Sequence, residues 1–135
     1  MKKIEKTEEI LKEFYKKKRT QNKLEYEIEI LRNSNQEMKE VLEREFKSDL
    51  IIARINKNEN IIVEKQLKVN ELRSQIAATE FIIDSLSDEE RAIIEMRYKY
   101  KRDYQRIVDD LNLSKSTIAR RINCIVSLLE DELEM

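Results

Sequence analysis

The chain of 135 residues contains neither glycine nor proline. These two residues are the usual punctuation of loops and strand-rich folds. A chain without them must make its turns from residues that carry side chains, and long helices joined by short polar turns are the natural outcome. Charged residues make up 41% of the sequence and aromatics only 6%, and β-branched residues do not alternate over any long run. The expected fold class is therefore all-α, in one or two small domains.

The same composition narrows the chemistry. There is no histidine and a single cysteine, Cys124, so a His/Cys zinc site or a Ser-His or Cys-His triad cannot be assembled. Without glycine there is no phosphate-cradling glycine loop. Carboxylates are interleaved with Lys and Arg, as on solvated helix faces. We expect no enzyme, no cofactor and no metal. The first ten residues, Met1 to Ile10, carry no apolar run of signal-peptide or membrane-span length, and Cys124 has no partner in the chain. A cytoplasmic protein with no membrane partner is expected.

Residues 2–32 read as a first long helix with Ile10, Phe14, Leu24, Ile28 and Leu31 at three- and four-residue steps. Lys17 and Gln21 interrupt that seam, and its continuation takes in Asn35, Met38 and Leu42. Seven of these ten positions are apolar, where a 40% apolar composition predicts about four, so a helical stripe is supported. A break is expected at Asn33-Ser34-Asn35, because Ser34 and Glu37 have capping-box spacing. A short helix would then run to about Phe46. Ser48-Asp49 is the next helix start. From Leu50 to Leu86 a long helix carries Ile55, Ile62, Val69, Leu72, Ile76, Ile83 and Leu86 along one stripe, with Asn56, Asn58 and Asn60 weakening its first turns.

Two such helices of about 30 residues would each span about 45 Å. They can fold back as a hairpin, or pair with another chain as a coiled-coil homodimer or higher homo-oligomer. Either way residues 1–84 form a helical arm whose role is to hold or pair the domain that follows. The basic run Lys16-Lys17-Lys18-Arg19 is a solvated helix face or an extra phosphate contact.

The last third, residues 85–135, reads differently. Ser87 and Glu90 again have capping-box spacing, opening a helix that carries Ile93, Ile94 and Tyr98 toward a core. Asp103 can cap the next helix, with Tyr104, Ile107, Val108 and Leu111 on its apolar side. Asn112-Leu113-Ser114 then supplies a residue tolerant of the left-handed region followed by an N-cap. The last helix begins at Lys115, with Ile118, Ile122, Ile125, Val126, Leu129 and Leu133 on one stripe. Its start is polar and basic: Lys115, Ser116, Thr117, Arg120 and Arg121.

A short turn between a short helix and a longer one with a basic start is the pattern of a helix-turn-helix, whose second helix enters the major groove of DNA. The charge distribution agrees. The whole chain has a net charge of −1, from 27 Lys and Arg against 28 Asp and Glu. Between Arg97 and Arg121, however, eight basic residues face three acidic ones, a local charge of +5. The tail then turns acidic at Glu130, Asp131, Glu132 and Glu134. Lys101 and Arg102, within the basic strip, complete the candidate DNA-binding set of Lys115, Ser116, Thr117, Arg120 and Arg121.

The stretch LSDEERAIIEMRYKYKRDYQRIVDDLNLSKSTIARRINCIVSLL resembles sigma-factor region 4, in particular the sigma-region-4-like regulators of phages of the ArpU/RinA type. The matching motifs are ERAIIEMRY at Glu90–Tyr98 and LNLSKSTIARRI at Leu111–Ile122. Those proteins also join a heptad-rich helical half to such a domain. The resemblance implies a sequence-specific transcription regulator of phage or prophage origin, with double-stranded DNA and RNA polymerase as partners and the helix from Lys115 as the groove reader. Three positions depart from the family. Lys101 and Asn112 stand where relatives often carry glycine, and Arg106-Ile107-Val108 stands where Glu-Ile-Ala is frequent. A phage small terminase subunit for DNA packaging, and a helical protein-binding module with no DNA role, are the alternatives.

Overall fold

The computed structural model describes the backbone of residues 2–44 and 48–133, and the side chains of those from Lys6 onward. Phe46, the expected end of the short helix, and Glu134 of the acidic tail lie outside the described residues. Every described element is helical: α1 (Lys2–Arg44), α2 (Asp49–Asp84), α3 (Asp88–Ile94) continued by a single π turn (Glu95–Lys99), α4 (Tyr104–Leu111) and α5 (Lys115–Leu133). The all-α reading holds, with long N-terminal helices preceding a set of short ones. No helix of the described residues is long and apolar enough to cross a membrane.

The packing divides into two compact units, one of residues 18–75 and the other of residues up to Lys17 with those from Ile76 onward. In the first unit, α1 and α2 run antiparallel as a hairpin. Arg73 pairs with Glu25 at 3.0 Å, Lys65 with Glu27 at 3.2 Å and Lys39 with Glu59 at 3.5 Å. These pairs are partly or well exposed and contribute at most a few tenths to about 1 kcal/mol each. The stripe read on α2 is the buried one: Ile55, Val69 and Leu72 are buried and Ile62 half-buried. Ser48 starts α2 as expected, its Oγ accepting from the Ile51 amide at 3.4 Å and its carbonyl from the Ile52 amide at 3.0 Å.

The expected break at Asn33-Ser34-Asn35 does not occur, and α1 passes through it as a continuous helix. The reason lies across the hairpin. Asn35 is only 4% exposed and sits on the buried seam, seven residues after Ile28. Its amide nitrogen donates to the Ile55 carbonyl at 3.3 Å, and its Oδ1 accepts from Asn58 Nδ2 at 2.9 Å. The polar side chain is therefore satisfied by the neighbouring helix rather than by its own backbone. With no glycine or proline to end it, the helix absorbs the modest propensity cost of two asparagines.

The second unit is built on one apolar cluster. Leu11, Phe14 and Tyr15 enter it from α1, and Ile76 and Ile83 from α2. Leu86 follows, then Ile93, Ile94 and Tyr98 from α3 and its π turn, Ile107 from α4, and Ile118, Ile122, Ile125, Val126 and Leu129 from α5. The seam of α1 is wider here than the sequence stripe suggests, since Leu11 and Tyr15 are buried as well as Phe14 while Ile10 is half-buried. A helix-turn-helix of about 50 residues has little core of its own, and the long helices supply the missing apolar surface. Arg91 ties α3 to the end of α2, donating to the carbonyls of Asp84 at 3.0 Å and Leu86 at 3.2 Å, and at 3.5 Å to that of Ile83, which also accepts from the Leu86 amide.

Two buried phenols carry opposite hydrogen-bonding situations. Tyr98 donates to Glu8 at 3.0 Å, whereas the Tyr15 hydroxyl is buried without a partner among the described residues. Burial pushes both pKa values well above the ordinary tyrosine value; at Tyr98 the hydrogen bond to Glu8 adds to it, and at Tyr15 the nearby Glu95 carboxylate.

Two predictions follow from these contacts. Asn58→Leu strands the Asn35 oxygen and should lower stability to urea by about 1–3 kcal/mol, and the double variant with Asn35→Leu should recover most of that loss; purely additive losses would show that the two amides are not coupled. Because the folded-state phenol pKa values lie above the unfolded value of about 10, their stabilisation is complete below that pH and is lost as pH rises through it toward the folded values. Urea midpoints should fall steadily above about pH 10. Tyr15→Phe should flatten that fall at no cost near neutrality, while Tyr98→Phe should cost about 1–2 kcal/mol there.

Candidate nucleic-acid interface

The basic strip is shaped by three caps and two left-handed residues. The Ser87–Glu90 capping box is present in both directions, each bond at 3.2 Å. Asp103 caps α4 by accepting from the Arg106 amide at 2.9 Å. Ser114 caps α5, its Oγ accepting from the Thr117 amide at 3.2 Å and its carbonyl from the Ile118 amide at 3.0 Å. Asn112 ends α4 with φ 57° and ψ 40°, its amide donating to the Val108 carbonyl at 2.8 Å. Lys101 has φ 55°. The two positions where the resemblance expects glycine are thus the two residues of positive φ among the described residues, and the backbone adopts at each the conformation that glycine would take without strain.

The loop around Lys101 is held firmly. The Tyr100 amide donates to the Glu95 carbonyl and the Arg102 amide to the Met96 carbonyl, both at 2.9 Å. Arg97 donates to the Arg102 carbonyl at 3.2 Å and lies over the Tyr104 ring at 4.6 Å. Where the resemblance expects an acid, Arg106 is exposed and pairs with Asp110 at 3.5 Å, and where it expects alanine the bulkier Val108 packs half-buried on the core.

The seven candidate residues fall into distinct situations. Lys115, Ser116 and Arg120 are exposed on α5, and among the described residues neither Lys115 nor Arg120 has an ion pair. Thr117 is half-buried and occupied by the cap, its Oγ1 accepting from Ser114 at 2.7 Å. Arg121 is turned toward α3, where it forms an ion pair with Glu89. Lys101 is exposed, and Arg102 is half-buried against Asp110 at 2.7 Å. The structure therefore groups Lys115 and Arg120 as exposed cations of one helix with no ion pair among the described residues, leaves Ser116 exposed beside the cap with its Oγ 3.3 Å from the Ser114 Oγ, and sets Thr117, Arg121 and Arg102 on intramolecular partners. Of the separate cluster on α1, Lys16 and Arg19 are exposed and Lys17 and Lys18 half-buried.

Sequence reading missed two aspects of this surface. The role of Glu89 is not legible locally, because its partner Arg121 is more than thirty residues away, beyond the reach of any local spacing rule. The outward face of α5 extends past Arg121 through Asn123 and Ser127, which continue the three- and four-residue steps from Ser116 and Arg120. That periodicity was visible in the sequence. Among the described residues no group of His, Cys, Asp and Glu is placed to hold a metal.

Residues 82–125 match the family model of sigma-70, region 4. The match runs from the last residues of α2 through α3 and α4 into the third turn of α5, about a third of the chain. This part of the chain is a sigma region 4-like helix-turn-helix domain. No curated protein matches the chain, and no solved structure does.

The left-handed backbone at Lys101 can be tested directly. Lys101→Gly should raise stability by up to about 1 kcal/mol, since αL costs an L-residue roughly 1–2 kcal/mol and glycine gives back part of that through unfolded-state entropy. Lys101→Val should lower it. Equal urea midpoints for the three proteins would contradict this account of the loop.

Proposed function

We propose that this protein is a sequence-specific DNA-binding transcription regulator of phage or prophage origin that reads the major groove with α5. The observation that carries the reading is the basic and polar start of α5, with Lys115 and Arg120 exposed, held by the Asn112–Ser114 turn in a stretch matching sigma-70, region 4. A helix so capped projects its first turns outward, where Arg and Lys can meet guanine edges and Ser and Thr can meet phosphates or bases. Lys115, Ser116, Thr117, Arg120 and Arg121 form the α5 contact set, with Lys101 and Arg102 beside it on the preceding loop.

In this reading residues 85–135 are the DNA-binding domain and residues 1–84 the helical arm. The arm brings two or more copies together or meets RNA polymerase. A dimer would bind two half-sites, their separation set by the arm. The resemblance to phage regulators and the excess of Lys and Arg between Arg97 and Arg121 support this function over a purely protein-binding one. A mass in solution of eight or more subunits would favour DNA packaging instead.

The deciding measurement is a titration of duplex DNA across salt concentrations. Lys115→Ala should weaken binding evenly across sequences and reduce the salt slope by about 1. Arg120→Ala should weaken binding to a selected site by about 1–3 kcal/mol. Arg121→Ala should lose less, because its guanidinium must exchange Glu89 for DNA. Absence of any salt-dependent binding would leave the helical protein-binding module as the better reading.

A further inference from the structure

The asparagines of the described chain are not alike. Asn35 and Asn58 satisfy each other inside the hairpin, and Asn112 occupies a left-handed turn. Asn123 does neither, as is also true of the exposed Asn22, Asn33, Asn56 and Asn60 on α1 and α2; what sets Asn123 apart is its place on α5. It lies in the middle of α5, exposed, with no hydrogen bond among the described residues. Asparagine is a poorer helix former than alanine, lysine or glutamine, so local structure gives no reason for it there.

Its position supplies one. Successive helix residues turn by about 100° and rise about 1.5 Å. Arg120 and Asn123 are therefore within about 60° of each other around α5 and about 4.5 Å apart along it. Both lie on an open face lined by Ser116, Ala119 and Ser127 as well. That face is opposite the buried stripe of Ile118, Ile122, Ile125, Val126 and Leu129. Ala119 keeps its flank low enough for close approach to a groove floor. Further along, Asp131 on the same face, with Glu130 and Glu132 next to it, would repel phosphates, so the zone suited to DNA ends soon after Asn123.

We propose that Asn123 is a base-reading residue, and that with Arg120 it sets the preference of α5 for a guanine followed or preceded, within one or two base-pair steps, by an adenine. The inference rests on the DNA-binding reading above and deepens it. In the major groove a guanidinium donates twice to the O6 and N7 of guanine, and a carboxamide donates to N7 and accepts from N6 of adenine. Arg120 is available for the first pairing because no carboxylate among the described residues holds it, unlike Arg121 on Glu89. The axial spacing of about 4.5 Å between the two residues compares with a base-pair step of about 3.4 Å.

The test is selection of bound sequences from a library of random duplexes, with the full chain and with Asn123→Ala. The intact protein should enrich sites with a guanine and an adenine one or two steps apart. Asn123→Ala should lose roughly ten- to hundred-fold of its discrimination at the adenine position alone, keeping the guanine preference and the salt slope. Asn123→Gln, which retains the carboxamide, should keep part of the adenine preference. The same enriched motif from the intact protein and Asn123→Ala would overturn the assignment while leaving DNA binding intact. Absence of salt-dependent binding to any duplex would overturn the DNA reading, and this assignment with it.

Discussion

The buried stripe of α5 is the contact on which the helix-turn-helix unit depends. Ile118, Ile122, Ile125, Val126 and Leu129 are all at most 1% exposed. Five large aliphatic groups removed from water at roughly 1.5–3 kcal/mol each outweigh any single cap or ion pair nearby. Their burial fixes the rotation of α5 about its own axis, so which residues face outward is decided by what faces in. The capped turn before the helix sets where it begins, and the stripe sets what it shows. Ser116, Arg120 and Asn123 are displayed because their neighbours one and two positions away are hidden.

Much of this was legible locally. The Ser87–Glu90 box, the Asp103 and Ser114 caps and the turn at Asn112 are each spelled by residues within four positions of one another, where the backbone bond and its sequence signal coincide. What could not be read is what spans long distances. A stripe on α1 announces burial without naming its cover, and in the structure its first part joins the α5 core while Asn35, further on, pairs across the hairpin. The capping-box spacing of Ser34 and Glu37 was a genuine local signal. It was overridden because Asn35 finds better partners on α2. The Arg121–Glu89 pair escapes local reading for the same reason: the two residues are close in space and remote in sequence.

Charge is distributed with similar economy. A chain of nearly zero net charge still carries a cationic segment, and the structure shows how its parts differ in availability. Arg102 and Arg106 both lean on Asp110, Arg97 lies on an aromatic ring and supports a backbone carbonyl, and Arg121 meets Glu89. A simple count of basic residues therefore overstates the number free to meet phosphate. Lys101, Lys115 and Arg120 are the cations among the seven candidates without an ion pair among the described residues, and they sit at the loop and at the start of α5.

The paired amides of Asn35 and Asn58 have a mechanical consequence. Aliphatic side chains on an antiparallel hairpin tolerate being shifted by a whole heptad, because one isoleucine packs much like another. Amides do not. Sliding α2 by seven residues along α1 would set Lys65 or Ile51 where Asn58 stands, so the buried Asn35 oxygen would meet either an ammonium group drawn from water or an aliphatic side chain with no donor. Slipping in one direction costs the burial of a charge and in the other strands an oxygen. The hairpin is a ruler with one engraved mark, and its length is defined to the residue.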